Sequence, residues 1–380
     1  MVKLIGRGIN KAMTEAKQKV KEPLLRIAKR DSIVWWKAWL IRIGVIIVAL
    51  IISGLVSLLI TKENPFKVYK VMIEGAFGTS RRIWSMAQNL AMLLCISIAI
   101  TPAFKMRFWN IGAEGQVLIG GLASAFCMII FGDKLSNPVL IIVMVITSIV
   151  AGAIWAVIPA FFRAWWNTNE TLFTLMMNYI AIQLVAFFTY KFSVPKGSGQ
   201  VGIINRSTKA GWLPIIGDYE YLLNILIVLV VTIAMFAYLK FSKQGYEISV
   251  VGESENTAKY IGISVKKVII RTMLISGAIC GLAGLLLVGG TDHTITRDTV
   301  AGRGFTAIMV SWLAKFDPII MILTSFLIAF LDKGASEIST EFGLNKSFAD
   351  IITGIIILFI IGSEFFIQYT VKFREKKEEA

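Results

Sequence analysis

The sequence predicts an all-α polytopic membrane protein of about ten transmembrane helices with two broken segments and an inverted repeat. Three observations predict it. First, 56% of the 380 residues are hydrophobic, whereas a soluble domain is nearer ~45–50% apolar. Second, the apolar residues come in successive runs of roughly 20, the length that crosses a bilayer as a helix. Third, much of the net charge of +15 lies between and beyond those runs, as in cytoplasmic loops that carry excess Lys and Arg. On a soluble chain the same charge would suggest nucleic acid. Here the membrane accounts for it, and the partner it implies is anionic lipid.

Residues 1–38 form a basic extension, with Lys3, Arg7, Lys11, Lys17, Lys19, Lys21, Arg26, Lys29 and Arg30. The first long apolar run starts near Leu40, too far along for a cleavable signal peptide. Ile5, Ile9, Met13, Val20, Leu24 and Ile27 recur at roughly helical spacing. Two readings stand: an amphipathic helix lying on lipid, or a solvated basic tail. Trp35 and Trp36 suit the membrane interface. The membrane domain then covers 39–370, and 371–380 is a short basic tail.

The spans read as Leu40–Ile60, Ile83–Phe104, Gln116–Phe131, Val139–Phe162, Thr171–Tyr190, Tyr219–Leu239, Val268–Val288 and Ile351–Tyr369, with two shorter runs at Ala307–Leu313 and Pro318–Leu331. Polar segments at 61–82, 191–218 and 332–350 read as connections. Ten crossings with both termini in the cytoplasm put the long polar loop 240–267 inside as well.

The least lipid-like stretch is 108–116, Phe108-Trp109-Asn110-Ile111-Gly112-Ala113-Glu114-Gly115-Gln116. A polar break with two glycines in an apolar run is tolerated where it is buried in protein or lines a water-filled cavity. A carboxylate at that depth costs roughly 2.5–3.5 kcal/mol on insertion scales. A second Gly-rich break runs from Gly289-Gly290 to Gly302-Arg303-Gly304-Phe305-Thr306. Each break follows a long span and precedes another apolar run, and the two spans enter from opposite sides. That is the pattern of an inverted repeat with the pathway between its halves. A short loop at the membrane surface between two ordinary spans is the competing reading of 108–116.

Several chemistries find no support. Cys95, Cys127 and Cys280 all lie in apolar runs without metal-ligand spacing and read as small core residues. His293 is the only histidine, which excludes a metal cluster built on several histidines. No paired acids or nucleophile–base set stands in the spans, so an enzyme is not expected. An ion-coupled transporter would also use broken helices, but the spans lack a chain of buried carboxylates.

The string Phe108–Gln116 resembles a motif of the ABC-importer membrane subunits that serve branched-chain amino acids, ribose-like sugars and nucleosides. It is most similar to the larger permease of bacterial nucleoside importers, where Asn-Ile-Gly-x-Glu-Gly-Gln is typical. Asn169-Glu170-Thr171 with Leu175-Met176-Met177-Asn178-Tyr179 resembles that branch too, as does Gly302–Ile308, where Ala307 replaces a usual glycine. Residues 252–263 resemble the family's ATPase-coupling segment, with Thr257 where a second alanine is common. The resemblance covers Leu40 to the C-terminus and leaves the basic extension unexplained.

What the resemblance implies is a permease subunit that moves a nucleoside or related small polar solute across the cell membrane. A sugar-specific permease is the nearer alternative, an ion-coupled transporter the more distant one. The chain has no phosphate-binding Gly-x-x-x-x-Gly-Lys-Ser/Thr pattern, so a separate ATPase chain would use the ATP and this chain would hold no cofactor. A second permease and an extracellular solute-binding lipoprotein complete the implied assembly. Pathway candidates are Phe108, Trp109, Asn110, Gly112, Glu114, Gly115, Gln116, Asn178, Gly304, Phe305 and Thr306. Amides and aromatic rings suit a nucleoside's hydroxyls, ring nitrogens and flat face. The same side chains would equally serve as caps on half-helices, and Glu114 suits a helix N-terminus. ATPase-coupling candidates are Gly252, Glu253, Glu255, Ala258, Tyr260 and Gly262, around a short helix at about Asn256–Ile261. A solvated connector is the plainer reading of that loop.

Overall fold

The structure, a computed structural model, describes residues 25–30, 34–62 and 64–373. Among them, nine helices are long and apolar enough to cross a membrane. They are α1 (Trp35–Thr61, apolar from Leu40), α3 (Ser80–Lys105), α4 (Ala113–Phe131), α5 (Asn137–Trp166), α6 (Glu170–Lys191), α7 (Leu222–Phe241), α10 (Val265–Leu287), α12 (Pro318–Glu341) and α13 (Lys346–Gln368). The shorter helices are α2 (Pro65–Phe77), α8 (Lys243–Glu253), α9 (Glu255–Tyr260) and α11 (Arg303–Leu313).

Contacts divide the chain into two compact units. One comprises the described parts of 1–68 and 347–380. In it, strand β1 (Leu25–Lys29) pairs antiparallel with β2 (Tyr369–Phe373). Arg42 on α1 and Glu364 on α13 form an ion pair at 2.6 Å, so neither charge stands alone on a helix that faces lipid. The ribbon brings the start of α1 and the end of α13 to the same side. Ile27 sits in β1 rather than in the helix its spacing suggested, because it pairs with Val371, 344 residues away, which no local pattern announces. The rest of the amphipathic pattern falls on 1–24, outside the described residues, as do Arg374, Lys376 and Lys377.

The other unit, 69–346, holds both breaks. Its centre is α3, α4 and α10, each about two-thirds buried, while only about a quarter of α5 and α7 is buried. Exposed side chains along the middle of those two helices are accordingly aliphatic, and Trp165, Trp166 and Lys240 stand at the helix ends. The central helices meet backbone to backbone. A Cβ added at Gly281 would lie 2.1 Å from the Ser148 carbonyl oxygen, and one at Gly284 would lie 2.2 Å from that of Val117. Small residues that let helix backbones approach this closely are the usual means of packing where lipid offers no hydrophobic drive.

Three segments differ from the sequence expectation. The Ala307–Leu313 run belongs to α11, an 11-residue helix of ~16 Å, about half the ~30 Å hydrocarbon core. It makes a tenth crossing only together with the irregular, turn-rich segment 293–302. Second, α12 does not stop at Leu331 but continues to Glu341. Ala335 and Ile338 are buried there, Gly334 lies against Met72, and Arg82 pairs with Glu337, so the charged residues of this turn stay in the helix. Third, the 61–82 segment is mostly helical, as α2, with Phe77 stacked on Phe330 at 5.9 Å.

Candidate translocation site

The break at 106–112 begins where Arg107, in the left-handed region at φ 60°, ends α3. Leaving the helix frees backbone groups that need partners. Helix α6 supplies them. Thr174 Oγ1 accepts from Ile111 N at 3.2 Å, and Asn178 Nδ2 donates to the Ile111 carbonyl at 2.8 Å. Asn178 Oδ1 accepts from Gly115 N at 2.8 Å, capping the first turn of α4. Asn110 completes the turn from within: its Oδ1 accepts from Gly112 N at 3.0 Å and from Gln116 Nε2 at 3.1 Å. Its Nδ2 donates to Ser276 Oγ on α10 at 3.4 Å. Asn110, Gln116 and Asn178 are all buried, so the break is held in protein, between α6 and α10.

The two glycines of the break are spacers. Gly112 has φ −81°, an angle open to any residue. An added Cβ would lie 3.1 Å from Thr174 Cβ, and one at Gly115 would lie 2.9 Å from Asn178 Oδ1. The backbone angle at Gly112 does not require glycine; what the position uses is close approach to α6.

The second break reaches the first through Glu114. Its Oε1 accepts from Gly302 N at 2.9 Å and its Oε2 from Gly304 N at 2.7 Å. Gly302, at φ +76°, is the N-cap of α11 and has no side chain to satisfy those amides. The buried carboxylate of α4 therefore caps α11 from 188 residues away, and meets the positive end of its dipole. Gly304 admits this contact, since a Cβ there would lie 2.5 Å from Glu114 N. From this shared centre α4 and α11 run in opposite directions. The far end of α4 meets Asn205, which donates to the Met128 carbonyl. The far end of α11 meets the end of α3, with Phe316 stacked on Phe104 at 6.2 Å.

With the amides and the carboxylate engaged internally, the exposed groups at the breaks are aromatic rings together with the charged Arg107, Asp292, Arg297 and Asp298. Trp109 and Phe305 are each 44% exposed, and Trp312 lies 5.4 Å from Trp109. Thr306 is half-buried, whereas Phe108 is buried. The outer face of α6, opposite Thr174 and Asn178, carries Met176, Tyr179, Gln183, Phe187 and Tyr190, all exposed. Gln183 and the two tyrosines are not among the pathway candidates of the sequence, although Tyr179 closes the Leu175–Tyr179 string. Their spacing of roughly one or two turns along an apolar helix was the available signal.

The remaining motifs settle as follows. In 240–267, α8 precedes the expected short helix, which is α9, N-capped by Ser254. Gly252 and Ala258 are buried and point inward. A Cβ at Gly252 would lie 2.0 Å from the Lys105 carbonyl oxygen, so this glycine serves packing rather than a turn. Gly262, at φ +83°, does turn the chain. Glu253, Glu255, Tyr260 and Gly262 are exposed. His293 stacks flat on Trp212 at 3.7 Å, and burial pushes its imidazole below the usual range. The pair anchors the 192–221 connection over the second break.

The family model described as branched-chain amino acid transport system / permease component matches residues 83–361, which include both breaks and the 240–267 loop. The chain belongs to this family. It is thus a multi-pass membrane permease component, which moves a solute without altering it covalently. The glucose ABC transporter permease protein TsgB13 of Haloferax volcanii is 26% identical, over 91% of this chain and 93% of its own. The guanosine ABC transporter permease protein NupP of Bacillus subtilis is 29% identical, over 82% of this chain and 90% of its own. A second Bacillus subtilis protein, the guanosine ABC transporter permease protein NupQ, is 27% identical, over 55% of this chain and 67% of its own.

Proposed function

We propose that this permease conducts a nucleoside, or a closely related small polar solute, as one subunit of an ATP-driven importer in the cell membrane. The observation that carries the solute class is the contrast between exposed helix faces. Along the middle of α5 and α7 the exposed side chains are Val, Ile, Leu and Ala, as lipid requires, with Trp165 and Trp166 only at the end of α5 and Lys240 at the end of α7. The outer face of α6 carries Tyr179, Gln183 and Tyr190, while the opposite, buried face of the same helix holds the break, with the Thr174 hydroxyl 3.5 Å from the Trp109 carbonyl. Aromatic faces stack on a base, and a carboxamide reaches hydroxyls or ring nitrogens. The relatives named for guanosine support a nucleoside, and the one named for glucose supports a sugar as the alternative. Ion coupling is less well served, since both oxygens of Glu114 already hold backbone amides.

Single cysteines at 109, 183 and 305 test the pathway. In the assembled transporter they are expected to react with an aqueous reagent and to be protected by guanosine but not by glucose. No reaction at any of the three would overturn the assignment, and protection by glucose alone would turn it to sugars.

In this reading a second permease covers the α6 and α11 faces, a solute-binding lipoprotein delivers the solute, and a separate ATPase chain uses the ATP. Tyr260 is 92% exposed and Ile261 55% exposed on an otherwise polar segment, a shape suited to a groove on the ATPase. Both termini and 240–267 then lie in the cytoplasm. In intact cells, cysteines at 243 and 259 should resist an impermeant reagent, while those at 67 and 346 should react. Label at 259 from outside would reverse the topology.

A further inference from the structure

We propose that Arg163 and Arg271 are transmission residues that tie the ATPase-facing segment α8–α9 to the two helices cradling the 106–112 break. This rests on the reading of 252–263 as the ATPase contact. Arg163, near the end of α5, stands between two carboxylates. Its Nε is 3.3 Å from Glu170 at the start of α6, and its Nη2 is 3.5 Å from Glu255 at the start of α9. It also donates to Asn167, which ends α5 in the left-handed conformation. One guanidinium thus joins α9, α6 and the α5–α6 turn. Arg271 on α10 makes the second tie, with Nη2 2.9 Å from Glu247 on α8.

These two ties end on the helices that hold the break. Thr174 and Asn178 lie one and two turns beyond Glu170 on α6 and bond Ile111 and Gly115. Ser276 lies just over one turn beyond Arg271 on α10 and bonds Asn110. A third connection reaches the root of the break directly, where Gly252 packs on the Lys105 carbonyl. Every wall of the break is therefore linked to α8–α9 through at most two turns of helix. A helix turn is stiff compared with a loop, so displacement of α9 carries α6, α10 and the break together. Arg suits this role, since its planar fork engages several partners at once and stays charged.

The test uses the complete transporter, with both permeases and the ATPase in vesicles, and reads guanosine transported per ATP hydrolysed. Arg163→Gln is expected to assemble and to hydrolyse ATP without solute at the wild-type rate, while transport per ATP falls at least tenfold. Glu255→Gln, a half-exposed change that spares the fold, should lower the same ratio. It should add nothing to Arg163→Gln, because both break one tie. Arg163→Lys should restore part of the ratio. Lower thermal stability with an unchanged ratio in all variants would mean a structural role only and overturn the proposal. Tyr260→Asp separates the two levels. If it loses solute-stimulated hydrolysis while the arginine variants transport normally, the ATPase contact stands and the transmission role falls. If Tyr260→Asp behaves as wild type, the contact reading itself fails.

Discussion

Gly281→Leu is expected to abolish folded protein. At this position the first added carbon would already lie 2.1 Å from the Ser148 carbonyl oxygen and 3.2 Å from Gly152 Cα. Both belong to helix backbone, which does not rotate away as a side chain does. Overpacking a core typically costs ~1–3 kcal/mol, occasionally more, and here α10 would have to separate from α5 along its length. Gly120 on α4 meets the same glycine from the other side, so the separation would open the centre of the 69–346 unit. Repeated at each close contact along these helices, such a cost uses up much of the ~5–15 kcal/mol of total stability typical of a protein. Gly281→Ala should give reduced yield and a lower melting temperature rather than total loss. Gly354→Leu and Gly362→Leu on α13, where nothing lies within 4 Å of the added carbon, should leave yield unchanged. The measurement is the monodisperse fraction in detergent by size exclusion. A Gly281→Leu protein that purifies at wild-type yield and transports would show that these helices are not in close contact.

The contrast between these glycines marks how far the sequence could be read. Apolar runs, the polar residues interrupting them and the excess of basic residues are local signals, and they located the spans and both breaks. What local signals do not carry is which distant groups meet. Glu114 looks like an isolated charge at bilayer depth until Gly302 and Gly304 are placed against it. For Asn110, Gln116 and Asn178 the sequence leaves solute contact and helix capping both open, because the groups that Asn110 and Asn178 satisfy, the Gly112 and Gly115 amides and the Ile111 carbonyl, have no sequence pattern of their own. The half-helix α11 was shortened at its start because Arg303 and Gly304 read as loop. The continuation of α12 was hidden by Asp332 and Lys333, although Leu331, Ala335 and Ile338 keep helical spacing. The ties at Arg163 and Arg271 had no sequence signal, since a charge near a helix end is ordinary.

Removing the Glu114 carboxylate is expected to detach the two breaks from each other. Glu114→Ala leaves the Gly302 and Gly304 amides without partners in a buried site. An unsatisfied buried donor costs ~1–3 kcal/mol, so two cost roughly 2–6 kcal/mol, more than the ~0.5–2 kcal/mol of an ordinary lost cap. Glu114→Gln is intermediate rather than mild. Because one oxygen serves each amide, at 2.9 and 2.7 Å, glutamine can satisfy only one of them. Its NH2 group would then face the other N–H, donor against donor. Glu114→Asp keeps both oxygens but ends one methylene short. Thermal stability should therefore fall in the order wild type, Gln, Ala. Transport should fall more steeply, because α11 carries Phe305 and Trp312 and its start would no longer be fixed relative to Trp109. A Gln variant with wild-type melting temperature and transport would show that a single acceptor suffices. If Gln instead falls as low as Ala while Asp retains transport, the negative charge at the helix end matters more than the count of hydrogen bonds. In that case the attraction between the carboxylate and the α11 dipole, rather than the two acceptors as such, holds the breaks together.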